Sequence, residues 1–393
     1  MYSILLLIIY ISFISLGLPD ALLGSAWPAM YGGFGVPVSY AGIITMIISG
    51  GTIVSSLFSH KLIRKLGTGK VTAVSVCFTA IALFGFSISH SFILLCLFAI
   101  PYGLGAGSVD AALNNFVALH YKASHMNWLH CFWGVGATMG PYVMGYFLTR
   151  GGTWNQGYRT IFFLQMGLTV LLFFSLPFWK KLDTANDENQ EIHKTPNLLE
   201  LLKMPGTKAI LIAFFCYCGL EQTTGLWGAS YMVMHRGMTV ESAAKWAAFF
   251  YLGITFGRFV SGFVSIKLGS KMMIRIGQMI TLIGILLVII PVGTYLMCAG
   301  FILIGIGCAP IYPSLLHETP ENFGKESSQA IMGMQMACAY IGSTFVPPLF
   351  GLVAEWIHIK WYPVFLSVFA LGMLIMVEKL NLIHKKGRGE NGN

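Results

Sequence analysis

The sequence predicts an all-α membrane protein: twelve transmembrane helices in two six-helix bundles, with both termini in the cytoplasm. Three observations carry that prediction. Hydrophobic residues make up 56% of the 393 and charged residues 10%, whereas a soluble globular chain carries about 25% charged. No soluble fold of this length hides so much apolar surface. Apolar stretches of about 20 residues, long enough to cross a bilayer as helices, recur at 3–30, 39–60, 71–89, 92–119, 127–149, 159–179, 209–234, 243–266, 273–291, 293–316, 327–353 and 358–378. Finally, most of the 24 Lys and Arg residues fall on alternate loops and the C-terminal tail, which is the positive-inside pattern.

That charge placement also decides what the net charge of +9 means. Lys61, Arg64, Lys65 and Lys70, then Lys180, Lys181, Lys194, Lys203 and Lys208, then Lys267, Lys271 and Arg275 mark one side; Arg150, Arg159, Arg236, Lys245 and Lys360 mark the other. The excess is a topology signal, so no nucleic-acid partner is expected. The partners are a lipid bilayer, a small-molecule solute and protons. Eight Cys lie in apolar stretches without metal-type spacing, so they read as small packing residues. No cofactor or metal is expected. The N-terminus has no basic leader or small-residue cleavage site and reads as a first span. No His-Glu-x-x-His pair or serine elbow occurs, and an enzyme is not expected.

The first span contains "LGLPDALLGSAW" at 16–27, which places Asp20 in a bilayer-crossing segment. An acid at the centre of a spanning helix costs about 2.5–3.5 kcal/mol on insertion scales. Intramembrane acids are functional candidates by default. Pro19 and the flanking glycines loosen the helix and expose carbonyls there. The second span ends in a basic loop, "SHKLIRKLGTGK" at 59–70, with Arg64 and Gly67. In span four, "GLGAGSVDAALNNF" sets Gly103, Gly107, Asp110 and Asn114 on one helix face. The glycines allow close helix approach and the polar pair continues the stripe. "GLGAG" is not a nucleotide loop, because no strand precedes it and the third glycine is missing.

Span five opens with His130, which reads equally as a proton relay or as a satisfied helix-end histidine. A polar segment at 180–208 follows span six and divides the chain into an N-terminal bundle (1–179), a cytoplasmic linker (180–208), a C-terminal bundle (209–378) and a tail (379–393). Span seven carries "GLEQTTGLWG", with Glu221 four residues before Gly225 as Asp20 stands four before Gly24. Gln222 and Gln335 are candidate partners for solute hydroxyls. Trp27, Trp133, Trp227 and Tyr312 are candidate stacking surfaces, although large aromatics more often serve as core or interface. Arg258, inside span eight, requires an acid or carbonyl partner and is read as a gating charge.

The halves repeat. Gly136, Thr138, Pro141 and Gly145 of "GATMGPYVMG" match Gly342, Thr344, Pro347 and Gly351 of "GSTFVPPLFG" at an offset of 206 residues. At the same offset "GTIVSSLFS" (51–59) matches "GRFVSGFVS" (257–265), and each runs into Lys-Leu-Gly, at 65–67 and 267–269. Tandem six-span halves are the parallel repeat of a secondary transporter, whose solute site is expected between them.

With twelve spans, a central linker and a basic loop between spans two and three, the whole chain resembles the major facilitator superfamily. The 59–70 loop is similar to that family's Gly-x-x-x-Asp-Arg-x-Gly-Arg-Arg signature, keeping Arg64, Gly67 and the basic ending but lacking the acid. "NWLHCFWGVGATMGP" (127–141), with acids in spans one and four, resembles the fucose-permease-like sugar:proton symporters. The resemblance implies a monomeric transporter of the cell membrane, bacterial cytoplasmic in kind. It would move a sugar with protons, with Asp20, Asp110, Glu221 and His130 in proton coupling. Asp20, Asn114, Glu221, Gln222, Trp27, Trp227 and Gln335 would bind solute, and Arg64, Gly67 and Arg258 would gate. The alternative is a drug:proton antiporter, since the Gly-Pro pattern of span five suits both. Such antiporters carry an Arg in span four, where this chain has Asp110.

Overall fold

The computed structural model describes residues 2–20, 22–36, 40–187, 197–238, 240–290 and 293–390. Among them there is no strand. Nine helical stretches are long and apolar enough to cross a membrane. In chain order the helices are α1 (Tyr2–Asp20), α2 (Leu22–Met30), α3 (Ala41–Leu66), α4 (Thr68–Ile88), α5 (Phe92–His120), α6 (Ala123–Thr149) and α7 (Trp154–Asp187). Then come α8 (Leu198–Lys203), α9 (Thr207–Met234), α10 (Val240–Ile289), α11 (Thr294–Cys308), α12 (Ile311–His317), α13 (Thr319–Phe323), α14 (Lys325–Val353) and α15 (Tyr362–Glu390). A π turn, Ala354–His358, and a 3-10 turn, Ile359–Trp361, join the last two.

Several boundaries differ from the sequence reading. The stretch 59–70, expected as a loop, is helical through Leu66. Leu, Ile, Arg and Lys are all helix-tolerant, and the chain turns only at Gly67, where φ is 79° and ψ 157°. Arg64 therefore stands exposed on the last turn of α3. The linker expected at 180–208 is also partly helical. Helix α7 continues to Asp187, and α8 is started by a capping box in which the Asn197 amide donates to Glu200 Oε2 at 3.0 Å; residues 188–196 lie outside the described set. The tail from 379 continues α15 as helix to Glu390.

The chain divides into two compact units, one of Met1–Phe116 with Leu129–Thr195 and one of Val117–Trp128 with Pro196–Asn393. In the first unit, glycines let backbones meet. A side chain at Gly103 would strike the Ile48 carbonyl of α3, and one at Gly107 the Thr52 carbonyl. The hydroxyl of Ser56 donates to the Gly107 carbonyl at 3.2 Å. On the other side of the unit, Gly136 and Gly140 of α6 press on the Ile14 and Leu18 carbonyls of α1. Gln165 of α7 donates to the Ser15 carbonyl and accepts from its hydroxyl, both at 2.6 Å.

The second unit repeats the device. Gly342 of α14 lies against the Phe215 carbonyl of α9, so the residue matched to Gly136 in sequence makes the matching contact. Gly269, in the second Lys-Leu-Gly, has φ 72° and ψ 166° and breaks α10 as Gly67 breaks α3–α4. The α5–α6 connection belongs to this unit. There Trp128 occupies the space a side chain at Gly262 would need and packs edge-on against Phe263 at 5.4 Å. Nearby, Arg275 forks onto Glu378 with two 2.8 Å bonds.

Both hinge glycines occupy a backbone region essentially closed to other residues. Gly67→Ala and Gly269→Ala are each expected to lower stability by about 1–3 kcal/mol. Gly50→Ala, in mid-helix with open space around it, should leave stability unchanged or slightly raised. Thermal unfolding of the purified protein in detergent separates the two outcomes.

Candidate functional site

Asp20 follows Pro19, which lies inside the first apolar span and, lacking an N–H, leaves out one bond of the helical hydrogen-bond ladder. The close crossing of α6 on α1 brings Trp133 alongside, and its indole Nε1 donates to Asp20 Oδ2 at 2.9 Å. From α5, the Tyr102 hydroxyl donates to Oδ1 at 3.0 Å. Each carboxylate oxygen thus has one neutral donor. Asp20 itself stays exposed, although Leu18 and Leu22 on either side are buried. A carboxylate with one donor per oxygen keeps lone pairs for a further donor.

Asp110 is arranged differently. It is 7% exposed, and its carboxylate accepts from Asn114 Nδ2 at 2.8 Å. The same nitrogen also lies 2.9 Å from the Asp110 carbonyl oxygen. The Asn114 Oδ1 lies 3.0 Å from Nε2 of His130, on α6, and the edge of the His130 ring meets Phe13 of α1 at 5.5 Å. The one-face arrangement of Asp110 and Asn114 is what the sequence spacing predicts. Its extension to His130 on another helix is a tertiary fact. Within their unit Asp20 and Asp110 occupy different surroundings. Asp110 is buried, and Asp20 stays open. A recess of about 560 Å³ in this unit has Arg159 and Trp154 among its walls and neither acid in its lining.

In the second unit Glu221 of α9 pairs with Arg258 of α10, Nη2 to Oε1 at 3.4 Å, with side chains 13% and 6% exposed. Sequence reasoning singled out both residues separately. The structure makes each the other's partner, as a buried charge requires. Tyr217, one turn before Glu221, donates its hydroxyl to the Cys308 carbonyl at 3.1 Å and packs against Tyr312 at 5.7 Å.

Other candidates take structural positions. Gln335 is 0% exposed, with Thr319 Oγ1 3.0 Å from its Nε2 and 3.1 Å from its Oε1. That contact ties α14 to α13. Trp27 is 4% exposed in the core of the first unit, against Phe92 and Tyr31. Trp227 donates to the Pro347 carbonyl at 2.9 Å and meets Phe350 edge-on, so it joins α9 to α14. Gln222 is exposed, whereas Glu221 beside it is partly buried, as adjacent helical positions diverge by about 100°. Tyr102 is the residue that sequence reasoning missed. Its only local signal is its place beside the Gly103 stripe, and nothing in the chain order pairs it with Asp20.

Polar groups held in pairs inside long apolar helices, in two units built to one pattern, define a multi-pass membrane transporter. The sequence model of the Major Facilitator Superfamily matches residues 9–248 and 241–390, and the chain belongs to that family. It is a transporter and not an enzyme. It is 24% identical over 396 residues to bypass of stop codon protein 6 of Saccharomyces cerevisiae, covering 90% of this chain and 77% of that protein. To the glucose/mannose transporter GlcP of Bacillus subtilis it is 22% identical, covering 78% and 77%. Among solved structures, the MFS transporter FucP in the outward conformation aligns at TM-score 0.81 and 16% identity, over 96% of this chain and 99% of that one. The proton:xylose symporter XylE aligns at 0.75 and 13%, over 95% and 94%. At those identities the likeness is one of fold.

Removing one member of a buried pair leaves the other uncompensated, at about 3–5 kcal/mol. Glu221→Gln is therefore expected to destabilise strongly, and the double variant Glu221→Gln/Arg258→Met to recover most of the loss. Equal melting temperatures for single and double variants would show that an uncompensated Arg258 is not the cause of the loss.

Proposed function

We propose that this chain is a proton-coupled symporter that moves a sugar across the cell membrane by alternating access. Asp20 is the observation that supports it best. An acid within an apolar span, accessible and held by only two neutral donors, is suited to accept from solute hydroxyls, with the Trp133 indole beside it as an apolar wall. The relative named for glucose and mannose, and the fold neighbours named for fucose and xylose, favour a sugar over a cationic drug.

Asp110 with His130, and Glu221 with Arg258, are the proton-responsive pairs of this reading. Protonating a carboxylate removes a charge that hydrocarbon disfavours and so changes which arrangement of helices is cheapest. One proton suffices energetically. About 2.3 kcal/mol per 100 mV and about 1.4 kcal/mol per pH unit give roughly 3.7 kcal/mol, on the order of a 500-fold accumulation.

Twelve crossings belong to the same proposal. Two of the nine apolar stretches, Phe249–Ile289 and Lys325–Lys385, run to 41 and 61 residues. At about 1.5 Å per residue each is at least twice the bilayer core, and each contains a turn, at Gly269 and at the π turn. Counting each as two and adding α6 brings the number to twelve. With basic loops inside, both termini are cytoplasmic, the halves are 1–179 and 209–378, and the protein works as a monomer.

Proteoliposomes test the proposal directly. A pH gradient, acid outside, should drive uptake of at least one sugar in a panel of hexoses and pentoses. Asp20→Asn should reduce both exchange and accumulation of that sugar by on the order of a hundredfold, the loss of a charge-assisted contact plus coupling. Gradient-driven extrusion of ethidium with no sugar uptake would establish the antiporter instead.

A further inference from the structure

The amide of Asn114 sits between two titratable groups, and its orientation follows from chemistry alone. On one side lie the Asp110 carbonyl oxygen at 2.9 Å and Oδ1 at 2.8 Å. The backbone carbonyl can only accept, whatever the charge on the carboxyl, so the Asn114 nitrogen must face it. The Asn114 oxygen then faces His130 Nε2 at 3.0 Å. Since that oxygen can only accept, Nε2 must carry hydrogen. His130 is therefore pinned with a proton on Nε2, and Nδ1 is where its second proton is gained and lost.

From this we propose that Asn114 is a positioning residue that couples the charge of Asp110 to that of His130, and not a group that binds solute. This deepens the proton-coupled reading above and rests on it. Asn114 is fully buried, and both ends of its amide are engaged inside the unit. An amide cannot relay a proton in the manner of a hydroxyl or an imidazole, because its nitrogen has no free lone pair to receive one. Asn114 therefore transmits charge and not protons. Its dipole points its positive end at the carboxylate and its negative end at the imidazole N–H, so an anionic Asp110 and a cationic His130 each favour the other. The chain of hydrogen bonds polarises in one direction. Asp110 and His130 then exchange protons with their surroundings by separate routes, yet change charge together. Other titratable groups on α1, α3 and α6 are Tyr10, His60 and Cys131; Tyr10 stacks on Phe132 at 4.7 Å and His60 approaches the Leu57 carbonyl at 3.2 Å.

Two measurements on the full-length protein in lipid test this. The first is 15N NMR of histidine-labelled protein in nanodiscs, with the His130 signals assigned by their loss in His130→Gln. The expected result is a protonated Nε2 at all pH values and a titrating Nδ1, with Asn114→Leu giving a mixture of both tautomers. A wild-type His130 protonated on Nδ1, or a tautomer unmoved by Asn114→Leu, overturns the proposal.

The second is transport of the sugar found above, as counterflow exchange and as gradient-driven accumulation. Asn114→Leu and His130→Gln should each keep the exchange KM within about twofold and cut accumulation about tenfold or more, and the double variant should be no worse than the worse single. Losses that multiply in the double variant, or an exchange KM raised about tenfold in Asn114→Leu, overturn it. Should Asn114→Leu fail to fold, Asn114→Ser, too short to reach His130, carries the same readouts. Absence of proton-driven uptake in the wild type, with the tautomer as expected, sinks the symport reading and leaves the histidine assignment standing. Proton-driven uptake with multiplying losses sinks only this inference.

Discussion

Hydrocarbon cannot solvate a charge, so an ionisable group placed in a spanning helix needs polar partners within the protein. Most of the architecture around the polar residues follows from that requirement. Asp20 of α1 depends on Trp133 of α6 and Tyr102 of α5. Asp110 of α5 is joined through Asn114 to His130 of α6, and Glu221 of α9 to Arg258 of α10. These partners reach the acids because neighbouring helices come closer than ordinary side chains permit. Gly136 and Gly140 lay α6 on the backbone of α1, and that closeness lets an indole one turn away reach the Asp20 carboxylate.

The two units solve the same problem with different chemistry. They share backbone devices, seen in the paired hinges at Gly67 and Gly269 and in the paired contacts of Gly136 and Gly342. They differ in what answers the acid. In the first unit the donors are neutral and Asp20 stays exposed. In the second the answer is a guanidinium, and Glu221 is held in an ion pair with Arg258. A duplicated scaffold thus holds its two acids with different partners.

Much of the fold was legible in the chain. Lipid sets a minimum length for an apolar helix, so spans announce themselves, and a repeat survives wherever a glycine has no substitute. The Asp110–Asn114 face was legible because it lies within one helix, where spacing fixes direction. What Gln335, Trp27 and Trp227 meet was not legible, for the opposite reason. A polar or aromatic side chain in a spanning helix has the same local pattern whether it meets solute or a neighbouring helix, and Thr319, Phe92 and Pro347 are far off in sequence or on separate helices. The 59–70 segment misled because charge suggested a loop, whereas helix propensity held to Leu66 until a backbone geometry only glycine tolerates.

The sequence by itself determined that this is a helical membrane protein built from a repeat, and which residues are too polar for their position to be incidental. Those properties come from composition and from periodicity along one chain. Only the tertiary structure decided which of those residues meet: that Arg258 answers Glu221, that His130 reaches Asn114, and that Tyr102 and Trp133 hold Asp20. Such pairings are set by where helices cross, which depends on backbone contacts between segments distant in the chain, and a one-dimensional pattern carries no record of the crossing.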